Sequence, residues 1–176
     1  SLVRQPQADA GALEQHVAAT LDELRMAVDA LQPVHGDLST VLATLRYRLQ
    51  PRLQAAGLKV VWDVPSLPLG ELPPQAVLQV QRILLEAFTN VIRHAHAQSL
   101  TVRARLDPAG DDQTLTLEVI DDGQGLPAEG ESPGQGLRSM RARAESIGAA
   151  LHWKPADGGG TRVVLQWALQ RLRLPA

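Results

Sequence analysis

The sequence predicts an α+β fold in which helices cover one face of a mixed β-sheet, preceded by a helical segment. Apolar residues recur at three- and four-residue steps in the segments 13–31, 38–49 and 77–92, which is the stripe of an amphipathic helix. Residues 100–106 and 114–120 alternate apolar and polar side chains, as half-buried strands do. The summed order of helices and strands then favours helices layered on one side of the sheet.

Two helices are expected before the sheet. Pro33 ends the first, Asp37 can cap the second, and Gly57 ends the second after Pro51 bends it. Their apolar stripes can pack on each other, on the main domain or on a second copy of the chain, and the sequence leaves these alternatives open. A homodimer through residues 13–56 is therefore one candidate assembly.

We place the boundary between the two parts of the chain at Gly57. Residues 1–57 form the helical segment and residues 58–176 form the main domain. One main domain is expected, because a chain of 176 residues with 44% hydrophobic residues can bury one core. The main domain is predicted to contain, in order, a strand at 58–64, a proline-rich connector, a long helix to about Ala97, a hairpin of strands at 100–106 and 114–120, a loop at 121–134, a helix to about Ile147, a strand at 150–153, a glycine turn at 158–160 and a last strand at 162–169.

The composition excludes several functions. The net charge is -2 and aromatic residues make up 3% of the chain, so neither a phosphate-neutralising surface nor stacking platforms for nucleic acid are expected. The absence of cysteine excludes disulfides, cysteine-bound zinc and thiol catalysis. No apolar run approaches the roughly 18–20 residues that cross a bilayer, and no signal-peptide pattern opens the chain. A cytoplasmic location is therefore expected for this part of the protein. A longer parent protein could be anchored in the inner membrane.

A polar line runs along the long helix. Glu86, Asn90 and His94 are four residues apart, so an α-helix places all three on one side. The apolar residues on the opposite side should cover the core, which leaves the polar line facing a cleft or solvent. Taken alone, the line is more simply explained as an ordinary solvated helix face.

Two carboxylates and two glycines, Asp121-Asp122-Gly123-Gln124-Gly125, follow a predicted strand. The glycines match the Gly-x-Gly-x-x-Ala pattern of dinucleotide-binding domains, but a proline and a glycine prevent a helix from beginning there, and the carboxylates would repel a pyrophosphate. Glycine permits close approach of the backbone to a ligand, and a neighbouring carboxylate suits an exocyclic amine such as that of adenine. The ordinary alternative is a surface turn rich in Asp and Gly.

Two more glycine motifs follow. Gly134-Gln135-Gly136-Leu137 opens a predicted helix, whose exposed N–H groups and positive dipole end suit a phosphate group, although it is also explained as a flexible entry into the helix. Gly158-Gly159-Gly160-Thr161 is by itself typical of a hairpin turn. Neither motif is a P-loop, because no Gly-Lys-Ser/Thr follows.

Together these motifs resemble the catalytic ATP-binding domain of a bacterial sensor histidine kinase, of the nitrate-sensor and desaturase-regulator-like subfamily. The resemblance covers about residues 58–169, and the segment 136–145 is close to that subfamily's usual sequence. It implies a Bergerat-type α/β sandwich, with the nucleotide between the long helix and a lid. The motifs that carry it are, in order, Glu86-x3-Asn90-x3-His94-Ala95, Asp121-x-Gly123-x-Gly125, Gly134-x-Gly136-Leu137 and Gly160-Thr161.

The resemblance also implies a role for each motif residue. Asn90 would bind Mg²⁺, which prefers oxygen ligands, and Glu86 would polarise the attacking group or a water. Asp121 would accept a hydrogen bond from the adenine amino group, supported by Thr161. Gly123 and Gly125 would lie against the base, and residues 126–133 would form a short lid. The phosphates would be bordered by Gly134, Gly136 and Leu137. His94 would flank the phosphates or shape the pocket, and the alternative is a buried histidine with its hydrogen bonds satisfied inside the protein.

The sequence departs from a complete kinase at the phosphoacceptor. In this subfamily the acceptor histidine is followed by an acidic residue on the first helix of a dimerising hairpin, and neither His16 nor His35 has such a neighbour. Residues 13–57 instead resemble the second helix of that hairpin and its lead into the catalytic domain, with Gln32 where an arginine is usual. We therefore expect the C-terminal fragment of a longer kinase, inactive by itself; a degenerate kinase would look the same.

The implied activity is transfer of the ATP γ-phosphoryl group to a histidine on a phosphoacceptor helix of the same kinase, with ATP and Mg²⁺ as cofactors and relay to a response regulator. The main alternative is a degenerate nucleotide-binding interaction module without kinase activity. A third candidate is a related ATPase that phosphorylates serine on an anti-sigma partner or drives a clamp motion, against which the segment 136–145 weighs.

Overall fold

The computed structural model describes most of the chain, namely residues 10–14, 17, 37–125 and 134–170. Contacts divide the chain into two compact units, Ser1–Gln32 and Pro33–Ala176. In the first unit the described residues are helical, and the rest of the helix predicted at 13–31 lies outside the description. Among the described helices of the chain, none is long and apolar enough to cross a membrane.

Five strands of the second unit form one mixed sheet. They are β1 (Lys59–Asp63), β2 (Ser99–Ala109), β3 (Asp112–Asp121), β4 (Ala150–Pro155) and β5 (Thr161–Gln170). Their spatial order is β1-β2-β3-β5-β4, with β1 parallel to β2 and every other neighbouring pair antiparallel. The predicted α+β class with a mixed sheet is confirmed. The predicted β2–β3 hairpin also forms, and its pairing extends to Ala109 opposite Asp112.

Helix α1 (Leu38–Ala55) begins where Asp37 was predicted to cap it. The backbone N–H of Thr40 donates to the Asp37 carboxylate at 2.7 Å, and this bond holds the pKa of Asp37 below its usual value. The helix continues through Pro51, which removes one backbone donor, and ends before Gly57 at φ +86. The predicted stripe is buried, and it extends one turn further than predicted, to Leu53: Leu38, Val41, Leu42, Leu45, Leu49 and Leu53.

Helix α2 (Pro74–Asn90) is the predicted long central helix. It begins with proline, which is tolerated in a first turn because its missing N–H would have no partner there. The α-helix ends at Asn90 rather than near Ala97, since Val91–Ala95 form a wider π-helical turn and His96 then adopts a left-handed backbone with φ 47. Such wide turns are frequent at functional sites. The apolar side is buried: Ala76, Val77, Val80, Ile83, Leu84, Leu85, Ala87 and Phe88.

Helix α3 (Gln135–Ser146) packs on α2 and on β4. The inner side of the sheet is apolar, whereas the outer side carries exposed ion pairs. Asp63 accepts hydrogen bonds there from Arg103 at 3.1 Å and from Arg105 at 2.9 Å. Exposed pairs of this kind contribute little stability, about 0–1 kcal/mol each. The described helices therefore cover one face of the sheet.

Helix α1 is part of the unit that contains the sheet. It contacts β1 and α2, and the Ser39 hydroxyl donates to the Leu67 carbonyl at 3.3 Å. Of the packing alternatives left open by the sequence, α1 thus uses the main domain. The boundary given by contacts precedes α1, because its apolar stripe is buried there, while the origin of residues 1–57 as part of a dimerisation hairpin stays a prediction.

Leu42→Ala should lower the free energy of unfolding of the sheet domain by about 2–5 kcal/mol, because Leu42 is 1% exposed and its truncation leaves a cavity. Tyr47→Ala on the same helix is the matched control, with an expected change below about 0.5 kcal/mol, because Tyr47 is 85% exposed. Urea unfolding followed by tryptophan fluorescence measures both. An unchanged tryptophan transition in the Leu42 variant would show that α1 unfolds apart from the sheet.

Candidate functional site

One wall of the candidate site is the half-buried side of α2 that carries Glu86 and Asn90. The first turn of α3 lies directly against these two residues. A methyl group added at Gly136 would collide with the Glu86 carboxylate and would lie 3.3 Å from Asn90 Oδ1. The polar line and the glycine motif, which the sequence predicted separately, therefore meet in space.

The start of α3 is held in this position by the buried side of the helix. Leu137 is 7% exposed and belongs to that side, while Arg143 Nη1 donates to Gln79 Oε1 of α2 at 3.1 Å. Gly134 precedes the helix in an extended conformation, and no described side chain caps it. A helix start of this kind offers its first N–H groups and the positive end of its dipole to an anion.

A buried carboxylate, that of Asp121, lies at the end of β3. The residue is 7% exposed, and its carboxylate accepts hydrogen bonds from the backbone N–H of Gly123 at 2.9 Å and from that of Thr161. Burial raises the pKa of Asp121, the two hydrogen bonds lower it, and the negative charge of Asp122 raises it further. The net result is a raised pKa. Thr161 is buried beside it, because β3 and β5 are antiparallel neighbours.

Two glycines bring the loop after β3 close to the turn before β5. Gly160 has φ +83, and a methyl group there would collide with the Asp121 carbonyl. Gly125 has φ +80, and a methyl group there would lie 3.4 Å from the carbonyl oxygen of Gly160. Residues with a side chain rarely adopt such backbone angles. The turn at 158–160, ordinary by itself, therefore shapes the surroundings of Asp121.

Asp122 makes contacts that the sequence patterns did not predict. Its carboxylate accepts the backbone N–H groups of Gln98 at 2.8 Å and Ser99 at 2.9 Å, and the Ser99 hydroxyl at 2.7 Å. These bonds, above all the one from the Ser99 N–H, lower the pKa of Asp122. The sequence signal for these contacts was the second aspartate. Because successive residues at the end of a strand point to opposite sides, Asp122 could not share the surroundings of Asp121.

The predicted site residues thus form two groups. The helix group consists of Glu86, Asn90 and Gly136, and the loop group consists of Asp121, Gly123, Gly125 and Thr161. Packing of α2 against β3 connects the elements that carry them. Gly134 and Leu137 flank the helix group through their positions on α3, while the nucleotide contacts of all these residues stay predictions.

Two predicted contributors lie outside the description. The backbone of His94 is in the π-helical turn, but its side chain is not described. Its alignment with Asn90 assumed an α-helix through residue 94, whereas the hydrogen-bond pattern changes after Asn90. The role of His94 therefore stays a prediction, and so does the lid at 126–133, which lies outside the described residues.

Comparison with known proteins gives the class of the domain. Residues 75–171 match the model of a family described as histidine kinase-, DNA gyrase B- and HSP90-like ATPases. This match covers more than half of the chain and includes both groups of site residues. The chain therefore belongs to this family of ATP-binding domains.

Relatives with known names identify the histidine-kinase type within this family. The chain is 33% identical over 147 residues to a sensor protein NarQ homolog of Haemophilus influenzae, covering 76% of the chain and 25% of that protein. It is 29% identical over 151 residues to the nitrate/nitrite sensor protein NarQ of Escherichia coli, covering 78% of the chain and 26% of that protein. The chain spans about a quarter of the length of these relatives. The resemblance to nitrate-sensor kinases is confirmed.

Solved structures show the same fold. The histidine kinase domain of the blue-light activated histidine kinase from Erythrobacter litoralis EL346 superposes with a TM-score of 0.61 at 19% identity, covering 93% of this chain and 88% of that one. Full-length ShkA in complex with AMPPNP gives a TM-score of 0.61 at 18% identity, covering 97% of this chain and 40% of that one. At this level of identity, the likeness shows that the chain shares the fold of these histidine kinase domains.

Asp121→Asn should change the pH dependence of stability. Because the pKa of Asp121 is raised in the folded state, the folded protein binds this proton more readily than the unfolded chain between the raised pKa and about 3.9. The stability of the wild type should therefore rise relative to that of the variant as the pH falls through this window. Urea unfolding of both proteins from neutral to mildly acidic pH measures the difference, and a constant difference would contradict the expectation.

Gly136→Ala should destabilise the domain more when Glu86 keeps its side chain than when Glu86 is alanine. The added methyl group collides with the Glu86 carboxylate, so the changes Gly136→Ala and Glu86→Ala should show a coupling of about 0.5–3 kcal/mol in a double-mutant cycle of unfolding free energies. Gly134→Ala is the matched control, because among the described residues its methyl group would meet no atom within 4 Å. Additive effects of Gly136→Ala and Glu86→Ala would exclude the contact.

Proposed function

We propose that this chain is the catalytic part of a sensor histidine kinase, which transfers the γ-phosphoryl group of ATP to a histidine on the phosphoacceptor helix of the same kinase, for relay to a response regulator. The observation that carries this proposal is the contact between Gly136 at the start of α3 and the pair Glu86 and Asn90 on α2. The contact supports the proposal because the N-terminus of a helix, a carboxylate and an amide oxygen lie close together there, and these are groups that can bind phosphate and Mg²⁺ during phosphoryl transfer.

The donors of the helix group fit Mg²⁺. This ion prefers oxygen ligands and usually binds proteins through one or two side chains together with substrate phosphates. Asn90 would supply its Oδ1. This atom lies beside the start of α3, 3.3 Å from the position that a methyl group on Gly136 would occupy. When bound, the ion would neutralise charge on the phosphate oxygens.

Glu86 is proposed to act on the attacking group. It lies one helical turn before Asn90, is half-buried, and is close enough to the start of α3 that residue 136 has no room for a side chain. A group held at this point would be within reach of the γ-phosphate and of the nucleophile that attacks it. Glu86 would then orient that nucleophile and accept its proton, and Gly134 and Leu137 would set the position of the phosphates.

Asp121 is proposed to recognise adenine. Its carboxylate is fixed by the backbone N–H groups of Gly123 and Thr161, which leaves oxygen lone pairs for the exocyclic amine of the base. The close approach of Gly125 and Gly160 keeps side chains away from the space beside it. The proposed base contact thus depends on a side-chain carboxylate that backbone hydrogen bonds hold in place.

The proposed partners follow from the whole kinase. The first unit would belong to the dimerisation hairpin, and its exposed apolar residues Leu13 and Val17 support contact with another helix. The stripe of α1 is already used within the domain, so a homodimer through residues 13–56 would rely on the part before α1. The catalytic part would lie in the cytoplasm, and the parent protein would be either a cytoplasmic protein or a protein anchored in the inner membrane.

Phosphotransfer to an acceptor helix supplied in trans tests the proposal. Mixing the chain with that helix, Mg²⁺ and γ-labelled ATP should give acid-labile phosphate on histidine. Glu86→Gln should lower the transfer rate by roughly 10²–10⁴-fold with nucleotide affinity retained, because it removes a proton acceptor and keeps the shape. Asn90→Ala should instead weaken Mg²⁺-dependent nucleotide binding.

Glu145→Gln is the matched control for this experiment, because Glu145 is exposed on the far part of α3 and should not affect transfer. Tight nucleotide binding without transfer, together with a change of oligomeric state, would favour the interaction module that lacks kinase activity. A wild-type chain that does not bind nucleotide at all would refute both functions.

A further inference from the structure

The carboxylate of Asp122 joins two segments that are far apart in sequence. One is the loop after β3, which carries Asp121 and the glycines. The other is the start of β2, where Gln98 and Ser99 together donate three hydrogen bonds to the two oxygens of Asp122, at 2.7 to 2.9 Å. A single exposed side chain therefore closes a contact across 24 residues of chain.

The residues bound by Asp122 follow α2 in the chain after one π-helical turn. The chain passes from Asn90 through the π-helical turn Val91–Ala95 and the left-handed His96, and reaches Gln98 two residues later. The carbonyl of Gln98 accepts the backbone N–H of Lys59 at 2.8 Å, which begins the pairing of β1 with β2. Gln98 is thus fixed from both sides, by β1 and by Asp122.

Asp122 and Asp121 are neighbours with different contacts. The carboxylate of Asp121 accepts from Gly123 and Thr161, inside the loop group, while that of Asp122 accepts from the segment that follows Asn90. The dipeptide therefore connects the proposed adenine contact to the segment that follows the helix carrying the proposed Mg²⁺ ligand. A shift of either element would change the spacing of the two groups, and such spacing strongly affects binding and catalysis.

We propose that Asp122 is a positioning residue of the nucleotide site, which sets the distance between the loop group and the helix group without touching the nucleotide. This inference rests on the proposed function, because it requires that both groups contact one ligand. A merely structural role would predict that the loss of Asp122 affects only stability.

Asp122→Ala should weaken binding of ADP with Mg²⁺ by roughly tenfold or more, as the loss of supporting hydrogen bonds does at other sites. Titration calorimetry at a temperature where each variant is folded measures this. Asp122→Asn should restore most of the affinity, because its amide oxygen can accept from both N–H groups and its amide nitrogen can donate to the Ser99 hydroxyl. Ser99→Ala, which removes only one of the three bonds, should give a smaller loss.

Asp37→Ala is the matched control. Asp37 is also an exposed aspartate that accepts a backbone N–H at the beginning of an element, in this case from Thr40 at 2.7 Å, but it lies at the start of α1. Its loss should lower the melting temperature with no change in ADP affinity. The comparison separates general loss of stability from loss of positioning.

Each outcome decides between these possibilities. Wild-type affinity in Asp122→Ala and in Ser99→Ala, with binding by the wild type intact, would overturn the positioning role and leave the proposed function standing. Should Asp122→Ala not fold, unchanged affinity in Ser99→Ala would still overturn it, and a graded loss would support it. The absence of any ADP binding by the wild type would overturn the proposed function and this inference with it.

Discussion

Packing of α2 against the sheet fixes the directions of Glu86 and Asn90. Phe88, between them in sequence, is fully buried, and an α-helix that buries one side must present the other. Because α3 packs on the same helix through its own buried stripe, its first turn comes to rest on the polar side of α2. The arrangement of the helix group is thus a consequence of core packing, and glycine at 136 is the local condition that permits it.

The two adjacent aspartates show how environment divides one residue type into two roles. Asp121 is buried, and desolvation outweighs its two hydrogen bonds, so its pKa is raised. Asp122 is exposed and accepts three hydrogen bonds, so its pKa is lowered. Retaining a buried carboxylate costs stability at neutral pH, and such a cost is typical of groups kept for binding.

Local sequence patterns were sufficient to predict most of the helices and strands. The alternation of β2 and β3, the cap at Asp37 and the stripe of α1 depend on neighbours within a few residues, and all three are present in the structure. The end of α2 was not predictable in the same way. The π-helical turn and the left-handed His96 have no distinctive composition, and they lie where the helix connects to a strand whose start is bound by Asp122 and β1.

The sequence by itself determined the fold class, the order of the elements and the motifs that resemble a sensor-kinase ATPase domain, since these follow from periodicity and from residue types at fixed spacing. Only the tertiary structure decided that α1 belongs to the sheet domain, that Gly136 lies against Glu86, and that Asp122 binds the segment after α2. Such contacts join residues from about 20 to 50 positions apart, and no local pattern encodes them because they exist only when helices and strands are packed together.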